Sequence, residues 1–198
     1  MHDRETKQVE FVHAENVKAP VIYVYDGAAG YQFYGLNYEQ DYGQSENKKV
    51  LVQREFVNAE TNHLGIALPA GKLRFYRRDS DSQLQFVGEN TIDHTPRNET
   101  IRVNTGNAFD LVGERKQTNY NFDSSRRTLD ESFEIKLRNH KNEPAEIRVV
   151  EHLYRWPTWE IADHSNVFVK TDANTIEFRA QLQPDEEKTL NYTVHYSW

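Results

Sequence analysis

Residues 151 to 165, EHLYRWPTWEIADHS, bring two tryptophans, a tyrosine, two histidines, an arginine and several acids into one short run. Side chains of these types suit two different tasks. Tyr154, Trp156 and Trp159, with Glu160 beside them, have the makings of an aromatic platform with a hydrogen-bonding rim, which holds a sugar because amphipathic rings stack on its apolar faces. The competing task is architectural: a strand ends at Pro157, and the tryptophans close one end of a core, where large aromatics of β-sandwiches commonly sit. The architectural reading takes precedence. A glycan platform at Tyr154, Trp156, Trp159 and Glu160 stands as the alternative.

Other chemistries find less support in the chain. Eight histidines raise metal binding, but no HExxH pairing occurs, and His140, His152 and His195 would have to converge from a predicted loop and two predicted strands. Ser132, Ser165 and Ser197 lack the glycine-framed elbow of a nucleophilic serine. Asp185, Glu186 and Glu187 fall in a predicted turn, where charge is solvated rather than paired for glycoside hydrolysis. Neither GxGxxG nor a P-loop is present. With no cysteine at all, disulfides, thiolate metal sites and cysteine nucleophiles are excluded. The expectation is a non-catalytic protein without metal or cofactor.

A net charge of -7 argues against nucleic acid, whose affinity comes from cations that neutralise phosphates. The densest basic clusters, Arg77-Arg78 and Arg126-Arg127, lie close to aspartates. No apolar run is long enough to span a membrane, and MHDRETKQVEF lacks the apolar core of a secretory signal. The expected partner is a protein or a glycan.

The elements that must position these side chains read as strands. In SFEIKLRNH, Phe133, Ile135 and Leu137 alternate with Glu134, Lys136 and Arg138, which is the period of a half-buried strand. AEIRVVEHLY continues in the same way, and NHKNEP between the two predicts a hairpin with a longer loop. TIEFRA follows, then a QPDE turn, then KTLNYTVHYSW with Leu190, Tyr192, Val194, Tyr196 and Trp198 on one face. Upstream, VIYVY, KKVLVQREFVN, LGIALP, KLRFYRR, QLQFVGENTI, ETIRVN and FDLVGER are short, rich in β-branched or aromatic residues and separated by turn formers. DGAAGYQFYGLNYEQDYGQSENKK has no regular period and reads as a long loop.

The predicted fold is therefore all-β, built of antiparallel sandwich units. Residues 48 to 114 form an N-terminal unit that draws in strands from 9 to 25. Residues 115 to 198 form an immunoglobulin-like unit, and 1 to 47 otherwise stay unassigned. The last strand, long and apolar on one face, either pairs within its own sandwich or adds to the sheet edge of a second copy.

Three phrases in order, GIALPAGKLRFYRRDSDSQLQFVGENTIDHTPRNETIRVNTGNAFDLVGERK, ESFEIKLRNHKNEPAEIRVVEHLYRW and TIEFRAQLQPDEEKTLNYTVHYSW, resemble a bacterial domain family of unknown function. That family occurs at the C-terminal end of secreted or envelope-associated proteins, with mucoidy-inhibitor-like proteins among its distant members. The resemblance covers roughly residues 48 to 198. It implies a β-sandwich module in the periplasm or outside the cell, behind a signal peptide that the N-terminus here does not show. It carries no catalytic residue onto this chain.

Overall fold

The computed structural model describes residues 12, 14, 16–31, 35–44 and 47–198. The chain is all-β: β1 (Val21–Asp26), β2 (Lys49–Val57), β3 (Gly71–Arg78), β4 (Leu84–Ile92), β5 (Thr100–Asp123), β6 (Thr128–Asn139), β7 (Ala145–His152), β8 (Trp159–His164), β9 (Phe168–Asp172), β10 (Thr175–Leu182) and β11 (Glu187–Ser197). One 3-10 turn, Glu60–Asn62, interrupts them. β3 and β4 make a two-stranded sheet, and the others form one sheet in the order β8-β11-β6-β5-β2-β1-β7-β10-β9.

Two compact units result, residues 1–21 with 53–105, and residues 22–52 with 106–198. The units interleave along the chain instead of following one another, and the last break falls at 105/106, within β5, rather than near residue 115. The reason is local: ETIRVN and FDLVGER are not two strands but parts of a single 24-residue strand. LGIALP, expected as a strand, holds only an isolated bridge between Leu68 and Thr95. Any strand reaching back to residue 9 lies outside the described residues, and β1 starts at Val21.

In the second unit, the alternation read from sequence decides what is buried. Every second residue of β6 and β7 is buried, Leu129 to Asn139 and Ala145 to Glu151. Their apolar members meet Ile176, Phe178, Ala180, Leu190, Tyr192 and Val194 in one core. β8 and β9 stand at opposite ends of the sheet order yet are joined by residues 165–167. The sheet must therefore fold over on itself in a sandwich-like way, and Phe178 of β10 packs against Tyr192 of β11 at 5.7 Å between ring centroids.

β6 and β7 are consecutive but not a hairpin, in contrast to the expectation from NHKNEP. β6 pairs with β5 and β11, whereas β7 pairs with β10 and, in parallel, with β1. Asn139 explains the crossing. Fully buried, it donates from Nδ2 to the carbonyls of Glu143, Leu182 and Gln183, and its Oδ1 accepts the Lys141 amide. One side chain thus fastens both the β6–β7 and the β10–β11 connections. Asn58 does the same in the first unit, with Nδ2 bonded to the carbonyls of Ile66, Thr95 and Pro96 and Oδ1 to the Gly65 amide.

β11 has β6 on one side and β8 on the other, so the last strand offers no edge to a neighbour. A close approach in the core fixes one glycine: a Cβ on Gly113 would lie 2.3 Å from Cδ2 of the buried Tyr25 ring.

Candidate functional site

The chemistry-bearing side chains that the fold gathers lie in the second unit, beneath residues 28–31 and 35–44. Glu131 on β6, Glu151 on β7 and Arg155 just beyond β7 occupy inward positions that would otherwise be apolar. Arg115 of β5 donates from Nε to Glu151 Oε2 at 2.8 Å and from Nη1 to the Gly43 carbonyl at 3.0 Å. Its guanidinium lies 3.8 Å from the Phe133 ring centroid. Tyr192 donates its hydroxyl to the same Glu151 oxygen at 2.5 Å.

Arg155 is held by a second set of partners. Nη1 donates to the carbonyls of Asn37 (3.1 Å) and Glu39 (2.7 Å), and Nη2 to those of Gln40 (3.2 Å) and Tyr42 (3.1 Å) and to Glu131 Oε1 (2.7 Å). Gln117 donates to the same Glu131 oxygen and to the Gln40 carbonyl. Tyr120 donates to the Tyr38 carbonyl. The segment that reads as a loop is thus fastened by its backbone carbonyls, which explains why its side chains show no period.

Two buried ion pairs in an apolar core need such hydrogen bonding, because each desolvated charge costs several kcal/mol unless paired and bonded. Burial disfavours the Arg115 cation, but the charge of Glu151 outweighs it and raises the guanidinium further above its ordinary value. Burial, then the negative charge of Glu151, push the Tyr25 and Tyr192 phenols up; burial and Glu131 do so for Tyr196. These tyrosines stay protonated at ordinary pH. Glu151 Oε1 and Arg155 Nε are buried without a hydrogen-bond partner. The cavity lined by Tyr31, Tyr42, Arg115, Glu131, Arg155 and Tyr196 measures about 20 Å³, the size of a single water. The cluster grips a chain segment by its backbone carbonyls.

The residues singled out from sequence lie around this cluster but do not form one surface. Trp156 packs edge-on to Trp198, 6.5 Å between centroids, in a row that continues through Phe122 to Tyr38. Trp159 lies on β8 opposite Tyr196, donates Nε1 to the Ala173 carbonyl, and has Lys170 over its ring at 4.4 Å. All three tryptophans pack partly buried against the core. Tyr154 stacks on His152, with Oη 2.8 Å from Nδ1, while Nε2 of that imidazole meets Asp26 Oδ2 at 2.8 Å. Glu160 is exposed on β8.

His140, His152 and His195 do not converge: His152 pairs with Asp26, His195 with Asp130, and the His140 amide bonds to the Asp110 carbonyl. Among the described residues, no group of three His, Cys, Asp or Glu could hold a metal ion. Among the described residues, no helix is long and apolar enough to cross a membrane.

The buried acids and Arg155 had a signal in the sequence. Continuing the period-two frame of Phe133, Ile135 and Leu137 backwards reaches Glu131, and continuing Ile147 and Val149 forwards reaches Glu151, Leu153 and Arg155. The holding of residues 37–43 against the cluster had none, because it depends on backbone carbonyls. Compared with known proteins, the chain matches no family model, no curated protein and no solved structure.

Proposed function

We propose that this chain is a non-catalytic interaction module, with the β3–β4 hairpin as its contact surface. One observation carries the reading. By strand register, Lys72, Arg74 and Tyr76 share a face of the hairpin with Glu89, Phe86 and Leu84, and all six are exposed. On the opposite face, Leu73 and Phe75 are half-buried, and Gly88 lies so near the Thr105 carbonyl that a Cβ there would be 2.9 Å from it. A two-stranded sheet is marginal alone, and clustered exposed apolar side chains mark an interaction site. The Tyr76 and Phe86 rings, edge to face at 5.8 Å, are the natural anchors. The resemblance to a bacterial envelope family supports a periplasmic or extracellular setting for such a module.

Replacing Phe86 with a photo-crosslinking amino acid, in cells that express the full chain, tests this reading. A defined adduct from position 86 that position 81, in the hairpin turn, does not give is expected; no adduct at 86 would refute it.

A second reading, glycan binding, draws on the aromatic row Tyr38, Phe122, Trp198 and Trp156. Sugars need open ring faces, and Phe122 has Tyr38 stacked at 5.2 Å and Trp198 at 5.9 Å. The row therefore offers edges and the Tyr38 ring, a narrower platform than Trp156 and Trp159 together would make.

A further inference from the structure

The partner of the hairpin can be inferred from the opposite end of the chain, an inference that builds on the interaction-module reading. β8 and β9 end the nine-stranded order, so among the described residues each has a strand neighbour on one side only: β11 for β8, β10 for β9. Their connection, residues 165–167, brings two unpaired sheet edges to one corner of the second unit. This corner exposes the apolar side chains Val167 (83%) and Val169 (58%). Its exposed acids are Glu160, Asp163 and Asp172. Against these three acids stands the exposed Lys170, which lies over the Trp159 ring, so the corner keeps a negative excess.

The hairpin face is complementary in both respects. It exposes Tyr76 (53%), Leu84 (61%) and Phe86 (57%). Lys72 and Arg74 flank them and share one acid, Glu89, at 3.1 and 3.3 Å, so the face keeps a positive excess. Among the described residues, β3 and β4 likewise have only each other as strand neighbours. In a chain of net charge -7, a cationic apolar face beside free edges is the feature that a second copy fits best.

We propose that the β3–β4 hairpin of one copy docks on the β8–β9 corner of another. Tyr76, Leu84 and Phe86 would cover Val167 and Val169, with Lys72 and Arg74 facing Glu160 and Asp163. Because the two surfaces differ, the contact is head to tail, and repetition gives a ring or an open chain rather than a two-fold dimer. Unpaired strand edges at both surfaces allow backbone pairing to add to the side-chain contacts.

Charge reversal on the purified full chain tests the proposal by analytical ultracentrifugation across a concentration series. The wild type should self-associate, less so as salt rises. The pair Lys72→Glu/Arg74→Glu should be monomeric over the same range, as should Glu160→Lys/Asp163→Lys, each with an unchanged circular dichroism spectrum. Mixing the two variants restores opposite charges at both kinds of contact, so association should return. A monomeric wild type, association untouched by the reversals, or a mixture that stays monomeric would each overturn the proposal. The crosslink at position 86 separates the two readings. An adduct of twice the chain's mass supports both; an adduct with a different protein keeps the interaction module and overturns the second copy as its partner.

Discussion

Removing the Arg155 side chain should uncouple residues 37–42 from the sheet and leave a charge stranded in the core. In Arg155→Leu, the carbonyls of Asn37, Glu39, Gln40 and Tyr42 lose their shared donor, and Glu131 keeps only Gln117 as a partner. Both members of the Arg155–Glu131 pair are buried, and stranding one partner of such a pair costs about 3–5 kcal/mol. For a chain of this length that corresponds to a fall in Tm of roughly 10 °C. Urea unfolding followed by tryptophan fluorescence reads the second unit directly, because Trp156, Trp159 and Trp198 all belong to it.

The double variant Arg155→Leu/Glu131→Gln separates the two contributions. Neutralising the stranded carboxylate should recover about 2 kcal/mol of the loss, whereas the amides of residues 37–43 should exchange as fast as in the single variant. Glu131→Gln alone leaves Arg155 held by four carbonyls and should cost about 1–2 kcal/mol. A loss below about 1 kcal/mol in Arg155→Leu, or a double variant that simply adds the two single losses, would refute the argument that the ion pair matters because it is buried.

Three further outcomes are expected. Asn139→Ala strands the carbonyls of Glu143, Leu182 and Gln183, and urea unfolding should show roughly 3 kcal/mol lost, at about 1 kcal/mol or more for each stranded acceptor; Asn139→Asp, which turns the donor into an acceptor facing carbonyls, should lose more. Gly113→Ala drives a methyl into the Tyr25 ring and should cost about 1–3 kcal/mol from overpacking, with amide shifts in two-dimensional NMR spread over β1 and β5. For His152, burial disfavours the cation, but the hydrogen bond and charge of Asp26 prevail and raise its pKa. A raised folded value means that the pair's stabilisation is complete below the unfolded histidine pKa of about 6.5 and is lost as pH rises through the folded one. The stability gap between wild type and Asp26→Asn should therefore be widest near pH 5.5 and shrink by pH 8.5; a gap independent of pH would contradict the ion pair.

Much of the fold was legible in the residues. Period two placed β6, β7 and β11, since a strand with one buried face must alternate, whatever it pairs with, while β-branched and aromatic residues between turn formers marked β3, β4 and β10. The same alternation marked the inward positions of Glu131, Glu151 and Arg155, although their charge drew attention elsewhere. Strand partnership was another matter. β6 and β7 look like a hairpin because they are adjacent and both alternate, but pairing is decided by which edges meet once the sheet folds over, and Asn139 holds the chain at that crossing. β5 read as two strands because Gly106 and its polar neighbours look like a break, yet the backbone continues through it with Gly106 at a φ of +142°.

The functional features divide in the same way. Composition alone removed cysteine chemistry and disfavoured nucleic acid. Alternation alone made the last strand a half-buried one. Only the tertiary structure showed that β11 is flanked on both sides, that among the described residues free edges belong instead to β8, β9 and the β3–β4 hairpin, and that Trp156 and Trp159 face different neighbours. It also showed that two buried arginines hold residues 37–43 by their backbone carbonyls. Carbonyls are the same in every residue, so a contact made through them leaves no trace in the order of side chains.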